Sequence, residues 1–272
     1  MKITLAIPSY NGLSYLKRLI PRVLEEDFDD VFVLDDASKD GSAEFLRKNF
    51  PSVKVIRGRK NVGPTANRNR MLKQSFGDIL VFLDVDMELV SKKVTPKIKK
   101  LFQKYPKAAV FGGFILGETG EPMWYNRGYD LHPIRSAKSA VLHQMALNFW
   151  DDPAIRGYIK ENAKEVSLDF EKPKDGKVDW VTEAFFMVRG GVFKKLGGFD
   201  EGFKMFHEGP DFCKQARTAG FDVRFTTKLK AKHLGAKSTP EAKRKKYFLD
   251  STIYWYKKHY GIPRDLVKKF IS

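Results

Sequence analysis

Gly77-Asp78-Ile79-Leu80-Val81-Phe82-Leu83-Asp84-Val85-Asp86 is the stretch whose reading decides the fold. Ile79–Leu83 is apolar without a break, which reads as a buried strand. Two carboxylates, Asp84 and Asp86, emerge just past its carboxyl end. In an α/β sheet that edge is where ligands bind. Two hard oxygen donors there are what a divalent cation holding a diphosphate needs. The expectation is a protein that handles a nucleotide. A second D-x-D, Asp27-Phe28-Asp29, serves as a control. It lies in the acidic run Glu25–Asp30, between a helical and a strand-like segment, and reads as a solvated connection. Position after a buried strand singles out Asp84 and Asp86; the three-residue pattern alone does not.

Working outward, the first 115 residues alternate strand-like and helix-like segments. Strands are expected at Ile3–Ile7, Val31–Leu34, Val53–Ile56, Ile79–Leu83 and Ala108–Phe111. Helical patterns fall between them at Leu13–Leu24, Ser42–Asn49, Thr65–Phe76 and Val94–Tyr105. This order predicts an α/β fold, a mostly parallel central sheet flanked by helices. Three strands end in polar residues, Pro8-Ser9-Tyr10-Asn11, Asp35-Asp36 and Asp84-Val85-Asp86, which can converge on one crevice. Residues 117–178 show no clear period and read as a long, partly helical insertion. Order returns with a strand pattern at Trp180–Val188, a helix from Pro210 to Gly220, a strand at Val223–Thr226, and His233. Pro240–Ser272 reads as a basic, aromatic helical tail.

Composition narrows the classes. The chain has 272 residues, 42% hydrophobic and 31% charged, which suits a globular protein with a real core. Cys213 is the only cysteine, so an internal disulfide is excluded and a reducing, cytoplasmic setting is expected. No apolar stretch reaches the ~18 residues of a membrane span, and Lys2–Ile7 stops too early at Pro8 for a signal peptide. Net charge is +17, and residues 228–272 hold thirteen Lys/Arg against three Asp/Glu. Such a field attracts phosphate-bearing substrates, an acidic membrane or nucleic acid. An ordinary solvated surface accounts for it equally well, and no nucleic-acid partner is expected.

Neither the Rossmann fingerprint nor a Walker A loop is present: Pro8-Ser9-Tyr10-Asn11-Gly12 follows the first strand with one glycine. What remains is a nucleotide diphosphate held through metal and carboxylates. Here the sequence resembles the family 2 glycosyltransferases of the GT-A fold. The resemblance rests on Ile7–Gly12, Val33–Ser42, Asn61-Val62-Gly63 with Arg68-Asn69, Gly77–Asp86, Gly197-Gly198-Phe199-Asp200-Glu201, Glu208–Asp211 and His233, in that order. It covers roughly residues 3–238. The ending, Ser251 and Tyr256–Gly261, looks like the rhamnosyltransferase-type subgroup. The implied organisation is a GT-A domain over 1–238, with a nucleotide-binding half at 1–115 and an acceptor-binding half at 116–238, then a tail at 239–272.

The resemblance also implies roles. Asp84 and Asp86 would hold Mn²⁺ or Mg²⁺ with the donor's ribose and diphosphate, and His233 matches a late histidine that ligates the metal. Asp36 would contact the base, Pro8, Ser9 and Tyr10 would line the same pocket, and Arg68 would reach the diphosphate. An inverting transferase needs a general base for the acceptor hydroxyl. The family carries a Glu-Asp pair there, whose Asp is usually the base, but Gly209 stands in that Asp's place. Two carboxylates remain. Glu208 is the first choice; Asp211 either orients the acceptor or stabilises the helix start. Glu183 stands where the family has a small residue and could bond sugar hydroxyls. Trp180 is either a sugar-stacking ring or core.

The implied activity is metal-dependent, inverting transfer from a UDP- or dTDP-linked sugar to a saccharide or lipid-linked saccharide acceptor in surface glycan synthesis. Lys243-Arg244-Lys245-Lys246 with Tyr254-Trp255-Tyr256 could form a peripheral anchor on an anionic membrane, or a helix packed on the body. Two rival classes stand beside this reading. One is a sugar-nucleotide nucleotidyltransferase, which would need a glycine-rich loop after the first strand. The other is a catalytically weak basic binding protein on the same scaffold.

Overall fold

The structure, a computed structural model, describes residues 1–123, 126–128, 152–162, 174–235 and 240–271. Most of the insertion expected at 117–178 lies outside the described residues. The chain begins β1 (Ile3–Ser9), α1 (Leu13–Leu24), β2 (Asp30–Asp35), α2 (Ser42–Asn49), β3 (Lys54–Arg57), α3 (Pro64–Asn69) and β4 (Ile79–Leu83). It continues with β5 (Met87–Leu89), α4 (Val94–Lys104), β6 (Ala108–Leu116), β7 (Arg127–Gly128), α5 (Pro153–Asn162), β8 (Gly176–Lys177), β9 (Trp180–Val181) and β10 (Phe185–Arg189). Then follow α6 (Gly190–Lys195), α7 (Glu208–Thr218), β11 (Asp222–His233), α8 (Glu241–Tyr260) and α9 (Arg264–Ile271).

The main sheet runs β3-β2-β1-β4-β10-β6-β11-β5, with β8 beside β11. From β3 to β4 every pairing is parallel, as the alternating pattern predicts. Beyond β4 the sheet is mixed: β10 is antiparallel to β4 and β6, β6 is parallel to β11, and β5 is antiparallel to β11. Side chains alternate across the pleat and so feed two cores. On β4, Ile79, Val81 and Leu83 join one cluster with α1 and α4, while Leu80 and Phe82 join the other with α6 and α7. The unbroken apolar run is therefore the plane between two buried layers.

Three local readings differ from the sequence expectation. The helix expected over Thr65–Phe76 is α-helical only to Asn69 and tightens to a 3-10 turn over Arg70–Lys73. Its asparagines spend their amides on other elements, Asn67 on the Leu34 carbonyl at 2.7 Å and Asn69 on the Phe199 carbonyl at 2.7 Å. The strand expected over Trp180–Val188 breaks at Thr182–Ala184, and β9 leaves the main sheet to pair with β7. The final strand runs on to His233, where it pairs with the short β5. The control D-x-D proves architectural at one end: Asp29 accepts a 2.8 Å hydrogen bond from the Ile3 amide.

The tail packs on the body. Trp255, Tyr256, Ile253 and Val267 are buried with Phe203 in a separate apolar cluster. Asp200 accepts from Tyr254 Oη at 3.0 Å and Lys258 Nζ at 2.7 Å. The aromatic half of the expected membrane anchor is thus turned inward, while Lys243–Lys246 stays exposed. Among the described residues no helix is long and apolar enough to cross a membrane. Trp255, 2% exposed, should be required for the fold itself. Trp255→Ala is expected to destabilise by about 3–5 kcal/mol, read as a lowered urea midpoint.

Candidate active site

The crevice forms where β1, β2 and β4 end together. Ser9 is in register with Asp35, and the loops beyond them are stapled. The Asn11 amide donates to Ser38 Oγ at 2.8 Å, the Lys39 amide to Asn11 Oδ1 at 2.9 Å, and the Leu13 amide to Asp40 Oδ2 at 2.8 Å. Asn11 and Ala37 pay for this with φ of 49° and 63°, values that non-glycine residues rarely adopt. Pro8 and Ser9 are buried, and Tyr10 stands out at 38% exposure as an open ring at the pocket mouth.

Asp36, which the resemblance would place against the base, is engaged within the chain. It is 2% exposed. Its carboxylate accepts from the Val62 and Gly63 amides at 2.9–3.1 Å and from Arg70 Nη2 at 2.9 Å. Burial raises its pKa and these donors pull it back. Asp36 therefore fastens the loop that leads into α3, and its first partners lie within the chain.

Arg68 is the centre of the site. Its side chain is 3% exposed. Nη2 meets Asp84 Oδ1 at 2.5 Å and Nη1 meets Glu208 Oε1 at 3.0 Å. Burial alone would lower its pKa, but the facing carboxylates of Asp84, Glu208 and Glu183 outweigh that and hold it charged. The guanidinium thus joins α3, the end of β4 and the start of α7. Burial, then the neighbouring Glu183 carboxylate, pushes Glu208 up to about 8. Asp84 and Glu183 are also raised, each chiefly by burial. Ser9 Oγ, Arg68 Nε and Glu208 Oε2 are buried with no hydrogen-bond partner among the described residues, the mark of a site built for more than packing.

Asp86 and His233 meet because β5 pairs with the end of β11. His233 Nε2 lies 2.9 Å from Asp86 Oδ2, and this hydrogen bond raises the His233 pKa. A carboxylate oxygen and an imidazole nitrogen suit Mn²⁺ or Mg²⁺. No three His, Cys, Asp or Glu side chains among the described residues are grouped to hold a metal by themselves. Two such side chains would leave room for diphosphate oxygens, while Asp84, the third ligand the resemblance implies, has Oδ1 on Arg68. The residues present fit the group.

Asp211 is not in the crevice. It is fully buried and is held by α8: Lys258 Nζ and His259 Nε2 each lie 2.7 Å from Oδ1. The sequence reading of an acceptor-orienting role is replaced by a clasp for the tail. Trp180, 9% exposed, lies in the core. Sequence reasoning missed His207, which packs on Phe248 and Trp255 and has Nε2 2.9 Å from Thr252 Oγ1. Phe206 and His207 both have positive φ, 70° and 65°, and no local sequence signal marks them. The Gly-Gly-Phe-Asp motif was visible as a pattern, but not its purpose. Phe199 stacks within 5.5 Å of Phe82, Phe186, Phe193 and Phe212. Gly198 has φ 78°, and a Cβ there would lie 2.5 Å from Asn69 Oδ1.

Comparison with known proteins follows this geometry. Residues 4–162 match the model of glycosyl transferase family 2. A Campylobacter jejuni protein named GalNAc(5)-diNAcBac-PP-undecaprenol beta-1,3-glucosyltransferase is 30% identical over 125 residues, 44% of this chain and 40% of its own length. The Salmonella typhimurium O-antigen chain rhamnosyltransferase RfbN is 23% identical over 270 residues, 96% of this chain and 76% of its own. The chain spans half or less of the first curated relatives it matches. Among solved structures, GalNAc-T7 with UDP, GalNAc and Mn²⁺ superposes with a TM-score of 0.60 at 17% identity, over 99% of this chain and 53% of that one. The fold is GT-A.

Two outcomes are expected. Arg68→Met leaves Asp84, Glu208 and Glu183 facing one another, and should cost about 3–5 kcal/mol of stability in chemical denaturation. Burial pushes His207 down to about 4, against 6.5 for the free side chain. Between those values the unfolded chain binds the extra proton, so this contribution is complete above pH 6.5 and is lost as pH falls toward 4. The loss should be about 2–3 kcal/mol, seen in urea midpoints across that range, and His207→Phe should flatten it.

Proposed function

Because this chain belongs to glycosyl transferase family 2, we propose that it moves a sugar from a nucleoside diphosphate to an acceptor hydroxyl, with inversion and with a divalent cation. The observation that carries this reading is the convergence of Asp84, Arg68, Asp86 and His233 at the end of β4. The donor is a UDP- or dTDP-linked sugar. The base lies in the pocket of Pro8, Ser9 and Tyr10, with Asp36 holding the wall behind it. Arg68 faces the diphosphate end and keeps its charge throughout, since carboxylates surround it. The cation, when bound by Asp86 and His233, would offset charge on the departing diphosphate as a Lewis acid.

The acceptor side is formed by Glu183 and Glu208. Glu208 is 1% exposed and has Oε1 on Arg68 Nη1 at 3.0 Å, so its part is to orient. A growing surface polysaccharide or lipid-linked saccharide is the proposed acceptor. The names of the Campylobacter and Salmonella relatives, an undecaprenol-linked glycan enzyme and an O-antigen enzyme, support that class. RfbN aligns along 96% of this chain, which supports a rhamnosyl donor carried on dTDP.

Thermal-shift measurements with UDP, dTDP, GDP and CMP, each with and without Mn²⁺, test the reading. UDP or dTDP should raise the melting temperature by several degrees only when Mn²⁺ is present. Asp86→Ala should lose the metal-dependent part. An unchanged shift in that variant would remove the metal role.

A further inference from the structure

Gly209 and Glu183 share one volume. Gly209 is the second residue of α7, at the position where a carboxylate was expected from the sequence. A Cβ placed on it would lie 2.5 Å from Glu183 Oε2, and 3.1 Å from both the Glu183 nitrogen and the Val181 carbonyl oxygen. The Glu183 carboxylate therefore fills the space that a side chain at 209 would enter. The Gly209 amide faces that carboxylate and favours its charged form. This amide belongs to the first turn of α7, where backbone N–H groups have no partner in the helix.

The segment that carries Glu183 is anchored at the crevice edge. It is the break Thr182–Ala184 between β9 and β10, and the Ala184 carbonyl accepts from the Asp84 amide at 3.0 Å. Phe185 then pairs with Leu83 at the end of β4. Glu183 is thus one residue from the contact that fixes Asp84. The other carboxylates near the start of α7 are engaged. Asp211 is fully buried under Lys258 and His259. Glu208 is 1% exposed with Oε1 on Arg68. Glu183 keeps part of its surface exposed, and no cation side chain among the described residues lies within hydrogen-bond range of it.

We propose that Glu183 is the general base of this chain, a carboxylate supplied from the strap before β10 in place of one on α7. The inference rests on the transferase reading above. In the step, the acceptor oxygen forms its bond to the anomeric carbon as its proton passes to Glu183. The bond from that carbon to the diphosphate oxygen breaks, and its electron pair leaves with the nucleoside diphosphate. Glu208 and Arg68 are positioning residues that hold the start of α7 against the strap. Gly209 is the space that lets Glu183 in.

The test compares wild type with Glu183→Gln, Glu183→Ala, Gly209→Asp and the double variant Glu183→Ala/Gly209→Asp. Release of nucleoside diphosphate is followed from UDP-glucose, UDP-GlcNAc, dTDP-rhamnose and GDP-mannose, with Mn²⁺ and a mixture of free monosaccharides. Calorimetry gives the affinity for UDP, dTDP and GDP, and melting curves report folding. Glu183→Gln keeps the shape and an oxygen to face the Gly209 amide, so it should melt normally and bind nucleoside diphosphate normally. Its turnover should fall about 10²–10⁴-fold. Gly209→Asp alone should be impaired by crowding. The double variant should recover at least about tenfold over Glu183→Ala, after the 3.1 Å backbone contacts relax by a few tenths of an ångström. Glu183→Gln turning over at the wild-type rate, or a folded double variant no faster than Glu183→Ala, overturns the assignment and leaves the transferase intact. A wild-type chain that binds none of the nucleoside diphosphates defeats the transferase reading, and the base assignment falls with it.

Discussion

A buried guanidinium between carboxylates is the constraint on which the site depends. Arg68 touches Asp84 at the end of β4 and Glu208 at the start of α7, so three segments far apart in sequence are held to one point. Charges so far from water are tolerated only when paired and hydrogen-bonded. The short helix that carries Arg68 does the same kind of work on every side. Asn67 reaches the end of β2, Asn69 the Phe199 turn, and Arg70 the carbonyl of Asp35 and the carboxylate of Asp36. This short helix and the 3-10 turn after it pin four neighbours, and this explains why the segment does not continue as the regular helix its pattern promises.

How much of this was legible depends on whether the signal is local. The β1–α1–β2–α2–β3 order, the buried β4 and the carboxylates past its end follow from periodicity and composition over short windows. His233 was legible through family resemblance, and β5 gives it a reason: three residues, Met87–Leu89, bring it beside Asp86. What the sequence hid is pairing at a distance. Nothing near Asp211 announces that Lys258 and His259 will cover it, and nothing near Asp36 announces Val62, Gly63 and Arg70. The break at Thr182–Ala184 was equally silent, because Trp180–Val188 is apolar enough to read as one strand. It is set by Val181 and Phe185 belonging to different sheets.

The distribution of charge carries its own logic. A chain with a net charge of +17 gathers Asp84, Asp86, Glu183 and Glu208 at its crevice. Arg68 stands against Asp84 and Glu208, and His233 against Asp86. Against this acidic lining, an anionic ligand needs a bridging positive charge, whereas the outer surplus of lysine attracts it from afar. Long-range attraction and close-range selectivity are thereby assigned to different residues, and salt should weaken the first far more than the second.

The clasp between Asp200, Asp211 and the tail helix bears on how such chains can be recombined. Asp200 follows the Gly197-Gly198-Phe199 turn and Asp211 lies in the first turn of α7, so Lys258 and His259 hold down both segments. The tail is therefore a brace and not an interchangeable cap. A chimera that borrowed the last helices of a relative would inherit a buried aspartate without its cations unless the matching acids and bases travelled together. Residues some 50 positions apart in the chain form one hereditary unit, and boundaries drawn between catalytic domain and tail cut through it.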